Sequence, residues 1–242
     1  MLLSKDSVLR KLPPEIDPKQ ALFIDGIRHA VEIIDLAYSR LRDTLTNIAL
    51  ADKDDLNIAN CNTHAFLDAW AMVDAVDRFR GLCKCFPDTI SSEKPENWIN
   101  IETITQPFRD IRNVSDHLGQ RAEFLVSRKS TALGTLTWFT GSSLQPPQGW
   151  FCTLKPGTIR VETPQPPKAM TMTVNWPTDT ICLSAGGYDV ELSSVLPQIA
   201  LRVGQLESNV TASLKKFGKS KGVVASDMFL KFPLFMSIHS SE

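Results

Sequence analysis

The sequence lacks the features that mark several large classes of protein. No stretch of about 18 consecutive apolar residues is present, so no transmembrane helix is expected. Residues 1–7 contain no apolar run of the signal-peptide kind, and we expect a cytoplasmic protein without membrane contacts. Neither a GxGxxG nor a GxxxxGK string occurs, which argues against a phosphate-binding glycine loop. No cofactor is predicted.

An excess of charge of one sign is also missing. The formal net charge is −1, so nothing attracts the chain as a whole to nucleic acid or to an anionic membrane. The five cysteines are an odd number without the spacing of a disulfide framework, and we expect reduced thiols. We interpret Cys83 and Cys85 as two thiols at a helix end, one of them buried, and we predict no metal site.

Apolar residues at helical spacing are what the sequence has in abundance. They predict helices over residues 18–50, 62–86, 99–129 and 191–217. The first helix has Asp17 as its expected N-cap and Pro18 in its first turn. In the third helix, Pro107 marks either a kink or the start of a second segment.

Charged residues between the apolar stripes are expected to face solvent. This expectation covers Arg28 on the first helix, and Asp68 and Asp77 on the second. Residues 1–20 contain three prolines and are expected to form an extended arm. Residues 228–236 are too apolar for a free tail, and we expect them to dock on the helices or on a partner.

The composition changes over residues 131–190, which are rich in Thr, Val, Trp, Gly and Pro. Five antiparallel strands are predicted there, over residues 135–140, 149–154, 158–162, 170–176 and 180–184. The predicted sheet contains five aromatic residues, Trp138, Phe139, Trp150, Phe151 and Trp176. They form either a stacking platform for bases or, more commonly, the core of the sheet or a protein interface.

The predicted fold is mainly α with a β insert, in the α+β class. An antiparallel bundle of about four helices comprises residues 1–130 and 191–242, because no single helix can bury its apolar stripe alone. The small antiparallel sheet of residues 131–190 is inserted before the last helix.

One polar constellation stands out, in residues 108–121 of the third predicted helix. Arg112, Asn113 and His117 follow one another in the order Arg-Asn-x-x-x-His. Each helical residue turns by about 100°, which places His117 about 140° from Arg112. The two side chains therefore do not converge on one straight helix. A symmetric homodimer could bring each motif against its copy.

This stretch resembles the HEPN superfamily of helical-bundle ribonucleases and nucleotide-binding proteins. The resemblance implies a dimer with a composite, metal-independent site that cleaves RNA through attack by the 2′-hydroxyl. It implies that His117 transfers protons, that Arg112 binds the scissile phosphate and that Asn113 orients one of them. A possible role in stress or defence is part of the same expectation.

Three neighbouring residues, Arg109, Asp116 and Arg121, are predicted to bind substrate. Two alternatives remain open. In the first, Arg112 simply pairs with Asp116 one turn later and His117 is a solvated surface residue. In the second, the protein is a catalytically inactive, HEPN-like interaction protein, whose β insert and apolar tail bind a protein partner.

Overall fold

A computed structural model describes residues 1–51, 58–85, 100–127, 130–145, 147–157, 176–216 and 227–232, apart from the side chains of residues 58–60 and 216. A short 3-10 helix, Val8–Arg10, precedes the helices α1 (Pro18–Leu50), α2 (Ile58–Cys85), α3 (Ile101–Asp116) and α4 (Ala122–Ser127). Strands β1 (Thr135–Leu144), β2 (Pro147–Leu154), β3 (Thr178–Ala185) and β4 (Tyr188–Glu191) follow, and then helix α5 (Val195–Lys216). This confirms a mainly α fold with a small antiparallel sheet before the last helix.

Helices α1 and α2 form the most extensive helix pair of the bundle. The Asp17 side chain accepts hydrogen bonds from the backbone N–H groups of Lys19 and Gln20 at 3.1 and 3.0 Å, with Pro18 in the first turn, so the predicted N-terminus is confirmed. The contact buries apolar side chains from both helices, among them Ile27, Ile34, Leu41, Met72 and Phe79. Each fully buried aliphatic side chain of this size contributes about 1.5–3 kcal/mol.

The third predicted helix is not continuous. It ends at Asp116, residues 117–121 form turns, and α4 begins at Ala122. Gly119, which has a poor helix propensity, lies in the middle of the interruption. Pro107 lies inside α3 without ending it.

The 3-4 spacing of apolar residues in the third helix predicts a buried stripe that includes Ile104, Ser115 and Leu118, and the buried side of α3 differs from it. Thr105 and Val114 are buried, whereas Ile104 and Leu118 are each 36% exposed and Ser115 is exposed. A 3-4 spacing accommodates either set of residues, and the elements that pack on the helix determine which set is buried.

The sheet has the strand order β2-β1-β3-β4, and every neighbouring pair is antiparallel. Strands β1 and β3 alternate between buried and partly exposed residues, and their inner side chains Leu136, Trp138, Ile181 and Leu183 belong to the same core as the helices. Strand β4 was not predicted. The predicted strand at residues 158–162 lies outside the described residues, as does all of 170–176 except Trp176, which lies in a bend.

The turn between β3 and β4 places the sheet directly on α3. Gly186 has a φ of +58°, and a Cβ atom there would lie only 2.6 Å from the Val114 side chain. Glycine permits both this backbone conformation and the close approach. The sheet therefore packs on the helix that carries the Arg-Asn-x-x-x-His sequence.

Two helix starts and the amino-terminal arm differ from the predictions. Helix α2 begins at Ile58 rather than residue 62, and α5 begins at Val195 rather than residue 191 because residues 188–191 form β4. Residues 1–17 are not a free extended arm, since Leu3, Leu9 and Leu12 are buried against the helices. Across the described part of the chain, none of the helices combines the length and the apolar character that crossing a bilayer requires.

Candidate functional site

Arg112, the predicted phosphate-binding residue, takes part in a cluster of ion pairs between α2 and α3. Its Nη1 donates a hydrogen bond to Asp77 Oδ2 at 2.7 Å, and its Nε lies 3.0 Å from Asp74 Oδ1. Asp116, one turn later on α3, has Oδ2 3.8 Å from the same Nε. The hydrogen bond to Asp77 outweighs the effect of burial and raises the pKa of Arg112. The guanidinium therefore bridges the two helices in its charged form.

Asp77 is the buried centre of this cluster, with a side chain that is only 5% exposed. Its Oδ1 accepts no hydrogen bond from the described residues, and Arg109 Nη1 lies 3.7 Å from it. The ion pairs join three guanidinium groups, Arg78, Arg109 and Arg112, to three carboxylates, Asp74, Asp77 and Asp116, a formal charge of +3 − 3 = 0. The cluster therefore offers a phosphodiester no excess of positive charge. Withdrawing Arg112 would also leave the buried Asp77 with only its longer contact to Arg109, at a cost of about 3 kcal/mol.

The other predicted residues lie in different surroundings. His117 is exposed and forms the C-cap of α3, and its carbonyl oxygen accepts hydrogen bonds from the N–H groups of Gln120 and Arg121 at 3.1 Å each. Asn113 is half-buried on α3, and Arg121 is half-buried at the end of the turn. The chain thus brings Arg109 and Arg112 to Asp77, with Asp116 beside Arg112, and places His117 in solvent, beyond the last residue of α3.

The acidic residues that hold Arg112 were not among the residues predicted for the site. Asp68 and Asp77 were expected on the solvent-exposed face of α2. Both are instead buried, with Asp68 at 3% exposure. Asp74 and Asp77 are three residues apart and share one side of a helix, a signal that marks a local acidic patch. That signal does not reveal that α3 brings two arginines to the patch.

The outer face of the sheet forms a second candidate surface. Phe139 on β1 faces Phe151 on β2, and the Trp176 ring lies over Gly141. A Cβ atom would lie 2.1 Å from the Trp176 ring at Gly141, and 2.3 Å from the Phe139 ring at Gly149. The two glycines therefore let the rings lie close against the strands. Phe151 and Trp176 are each 46% exposed.

The remaining two aromatic residues of the predicted sheet lie on its inner side. Trp138 is a core residue at 1% exposure, as one of the two interpretations of these residues anticipated. Trp150 pairs with Thr140, which is buried, yet Trp150 itself is 58% exposed. Strand β2 thus extends beyond the part of the inner face that the helices cover.

A third cluster surrounds Arg28 on α1, where solvent exposure had been expected. Asp25, His29 and Asp227 bring potential metal-ligand atoms within 4.8 Å of one another. Arg28 Nη2, however, donates to Asp25 Oδ1 at 2.8 Å and to Asp227 Oδ1 at 2.6 Å, and it lies 2.7 Å from His29 Nε2. The guanidinium nitrogen already takes the central position of this group, which favours an ion-pair network over a cation site.

No family model, curated protein or solved structure matches this chain.

Proposed function

We propose that this protein is a non-catalytic interaction module that binds a protein partner through the outer face of its sheet. The observation that carries the proposal is the exposure of Phe151 and Trp176 beside Phe139 on one sheet face. Aromatic residues are enriched in the centres of protein interfaces, where they bury a large area at a small cost in conformational entropy.

The charge around these rings favours a protein partner over a nucleic acid. Residues 135–145, 147–157 and 176–191 carry three carboxylates, Asp179, Asp189 and Glu191, and one cation, Lys155. Stacking proteins that bind single-stranded nucleic acids combine aromatic rings with a positively charged groove. We therefore infer a partner with an apolar centre and basic residues around it, complementary to the acidic residues of the sheet.

The surroundings of Arg112 support the absence of catalysis. Its guanidinium bridges α2 and α3 through Asp77 and Asp74, a structural task that competes with binding a scissile phosphate. A HEPN-type ribonuclease would require Arg112 to leave these carboxylates and to act together with the exposed His117 of either copy. That activity stays a prediction from the sequence.

The test compares Phe151→Ser with Leu201→Ser, two variants that each remove one exposed apolar side chain. Leu201 lies on α5 and is 57% exposed, so it is a matched control away from the sheet. Each tagged variant is used to capture proteins from cells of the native host, and the captured protein is then purified for calorimetric titration. We expect Phe151→Ser to weaken binding by at least about 30-fold, as for an interface hot spot. Leu201→Ser should bind like wild type.

Equal binding by Phe151→Ser and wild type would refute the proposed surface. Loss of binding in both variants would also refute it, because an effect shared with Leu201→Ser is not specific to the aromatic face.

A further inference from the structure

The amino-terminal segment, the first turns of α1 and Asp227 line a partly open cavity of about 710 Å³. This volume lies within the range of sites that bind small molecules, roughly 300–1,000 Å³. The greater part of the lining is apolar and includes Leu9, Leu12, Pro13, Pro14, Ile16 and Leu22. The charged lining residues are Arg10, Asp25, Arg28 and Asp227. The cavity therefore offers a ligand an apolar surface together with a guanidinium group.

Arg28 is the buried cation of this cavity, since its side chain is only 7% exposed. Burial acts to lower the pKa of Arg28, but hydrogen bonds to Asp227 and Asp25 outweigh it and leave the pKa raised. Two of its partners, Asp25 and Glu32, lie on α1 itself, one turn before and one turn after Arg28. These two carboxylates hold the guanidinium in place from within its own helix.

The third partner, Asp227, has a different origin. Asp227 lies 199 positions after Arg28 in the chain. It binds the guanidinium through both carboxylate oxygens, with Oδ1 2.6 Å from Nη2 and Oδ2 3.2 Å from Nη1. Such a two-point contact is the strongest geometry between an arginine and a carboxylate. The Asp227 side chain is nevertheless 70% exposed, and residues 228–232 are all exposed. Releasing Asp227 would therefore disturb none of the buried core.

The local charges limit what can replace Asp227. Without it, Arg10 and Arg28 face Asp25 and Glu32, two cations against two anions. A ligand with one negative charge would restore the present balance, whereas a phosphate dianion would add a second negative charge. A planar carboxylate also matches the guanidinium as Asp227 does.

We propose that this cavity binds an aliphatic monocarboxylate, whose chain lies on the apolar lining and whose carboxylate displaces Asp227 from Arg28. Asp227 is then an intrachain competitor, and residues 227–232 are released from Arg28 when the ligand enters. This proposal is independent of the partner-binding face on the sheet.

The experiment uses sodium decanoate as the probe and measures its dissociation constant by calorimetry for wild type and Asp227→Asn. Removing the competitor raises the fraction of protein that is ready to bind, and we expect about tenfold tighter binding on that ground. Asp189→Asn, which removes an exposed carboxylate from β4, is the matched control for the change in net charge. It should bind decanoate like wild type. Decanol, with the same chain and no charge, should bind more weakly and gain nothing from Asp227→Asn.

Two further measurements locate the ligand. Decanoate should shift the backbone NMR resonances of residues 9–28. Arg28→Lys keeps the positive charge but cannot form the two parallel hydrogen bonds of a guanidinium group, so it should weaken decanoate binding. If Arg28→Lys fails to fold, the decanoate affinities of Asp227→Asn and Asp189→Asn still show whether Asp227 competes with the ligand. Equal decanoate affinity in wild type and Asp227→Asn would overturn the proposal, as would shifts confined to the sheet or an equal gain for decanol.

Discussion

Arg28 and Arg112 are both surrounded by carboxylates, yet the two clusters differ in what holds their acidic members. Asp74, Asp77 and Asp116 lie on α2 and α3, so the partners of Arg112 are fixed by the packing of two helices. Asp227 lies in a stretch of exposed residues, so one partner of Arg28 can leave without unfolding the protein. The difference indicates that one arginine joins helices and that the other is available for exchange.

The largest expected effect comes from Arg112→Ala. This change leaves Asp77 buried without its nearest hydrogen-bond donor, and we expect the free energy of unfolding to fall by about 3 kcal/mol. Urea denaturation measures it. Arg78→Ala is the control, because Arg78 pairs on the surface with Asp74 and its loss should cost only about 0.3–0.5 kcal/mol. Similar losses in the two variants would show that Arg112 does not bridge the helices.

An intermediate effect is expected in the acid titration of Asp227. Its hydrogen bond to Arg28 lowers the pKa of the carboxyl below the ordinary value of 3.8. Because the folded-state pKa is the lower one, the contact stabilises fully above pH 3.8 and is lost as the pH falls through the lowered value. Carbon-13 NMR of the side-chain carboxyl should show this depressed pKa in wild type.

In Arg28→Gln, the same carboxyl should titrate near its ordinary value. An unchanged titration in that variant would indicate that the ion pair does not hold Asp227 at α1 in solution, and the contrast with Arg112 would then disappear.

The smallest expected effect is that of His117→Ala. The side chain is exposed beyond the end of α3, so the free energy of unfolding should change by less than about 0.5 kcal/mol. An interaction module should also leave RNA intact in the presence of EDTA, with or without His117. RNA cleavage by wild type that both His117→Ala and Arg112→Lys abolish would instead establish the ribonuclease and contradict the proposed function.

Local signals in the sequence predicted the parts of the fold that depend on neighbouring residues. Asp17 and Pro18 identify the start of α1 because an N-cap and a first-turn proline act within one helical turn. Cys83 and Cys85 are likewise one buried and one exposed thiol at the end of α2, as the sequence indicated.

Contacts between residues far apart in the chain have no such local signal. The pattern of α2 alone predicts that Asp77 faces solvent. It is buried because Arg112, 35 positions later, packs against it. Thr105 and Val114, rather than Ile104 and Ser115, are buried because other elements of the fold cover that side of α3. The pairing of Arg28 with Asp227 joins residues that no periodic pattern connects, which is why Arg28 was expected in solvent.

The absence of a side chain at residue 186 has a mechanical consequence. The backbone of the β3–β4 turn packs directly on the Val114 side chain, with no side chain of residue 186 between them. The sheet and α3 should therefore move as a unit. A protein that binds the aromatic face would therefore also restrain the motion of α3. An alanine at this one position would act as a wedge and uncouple them.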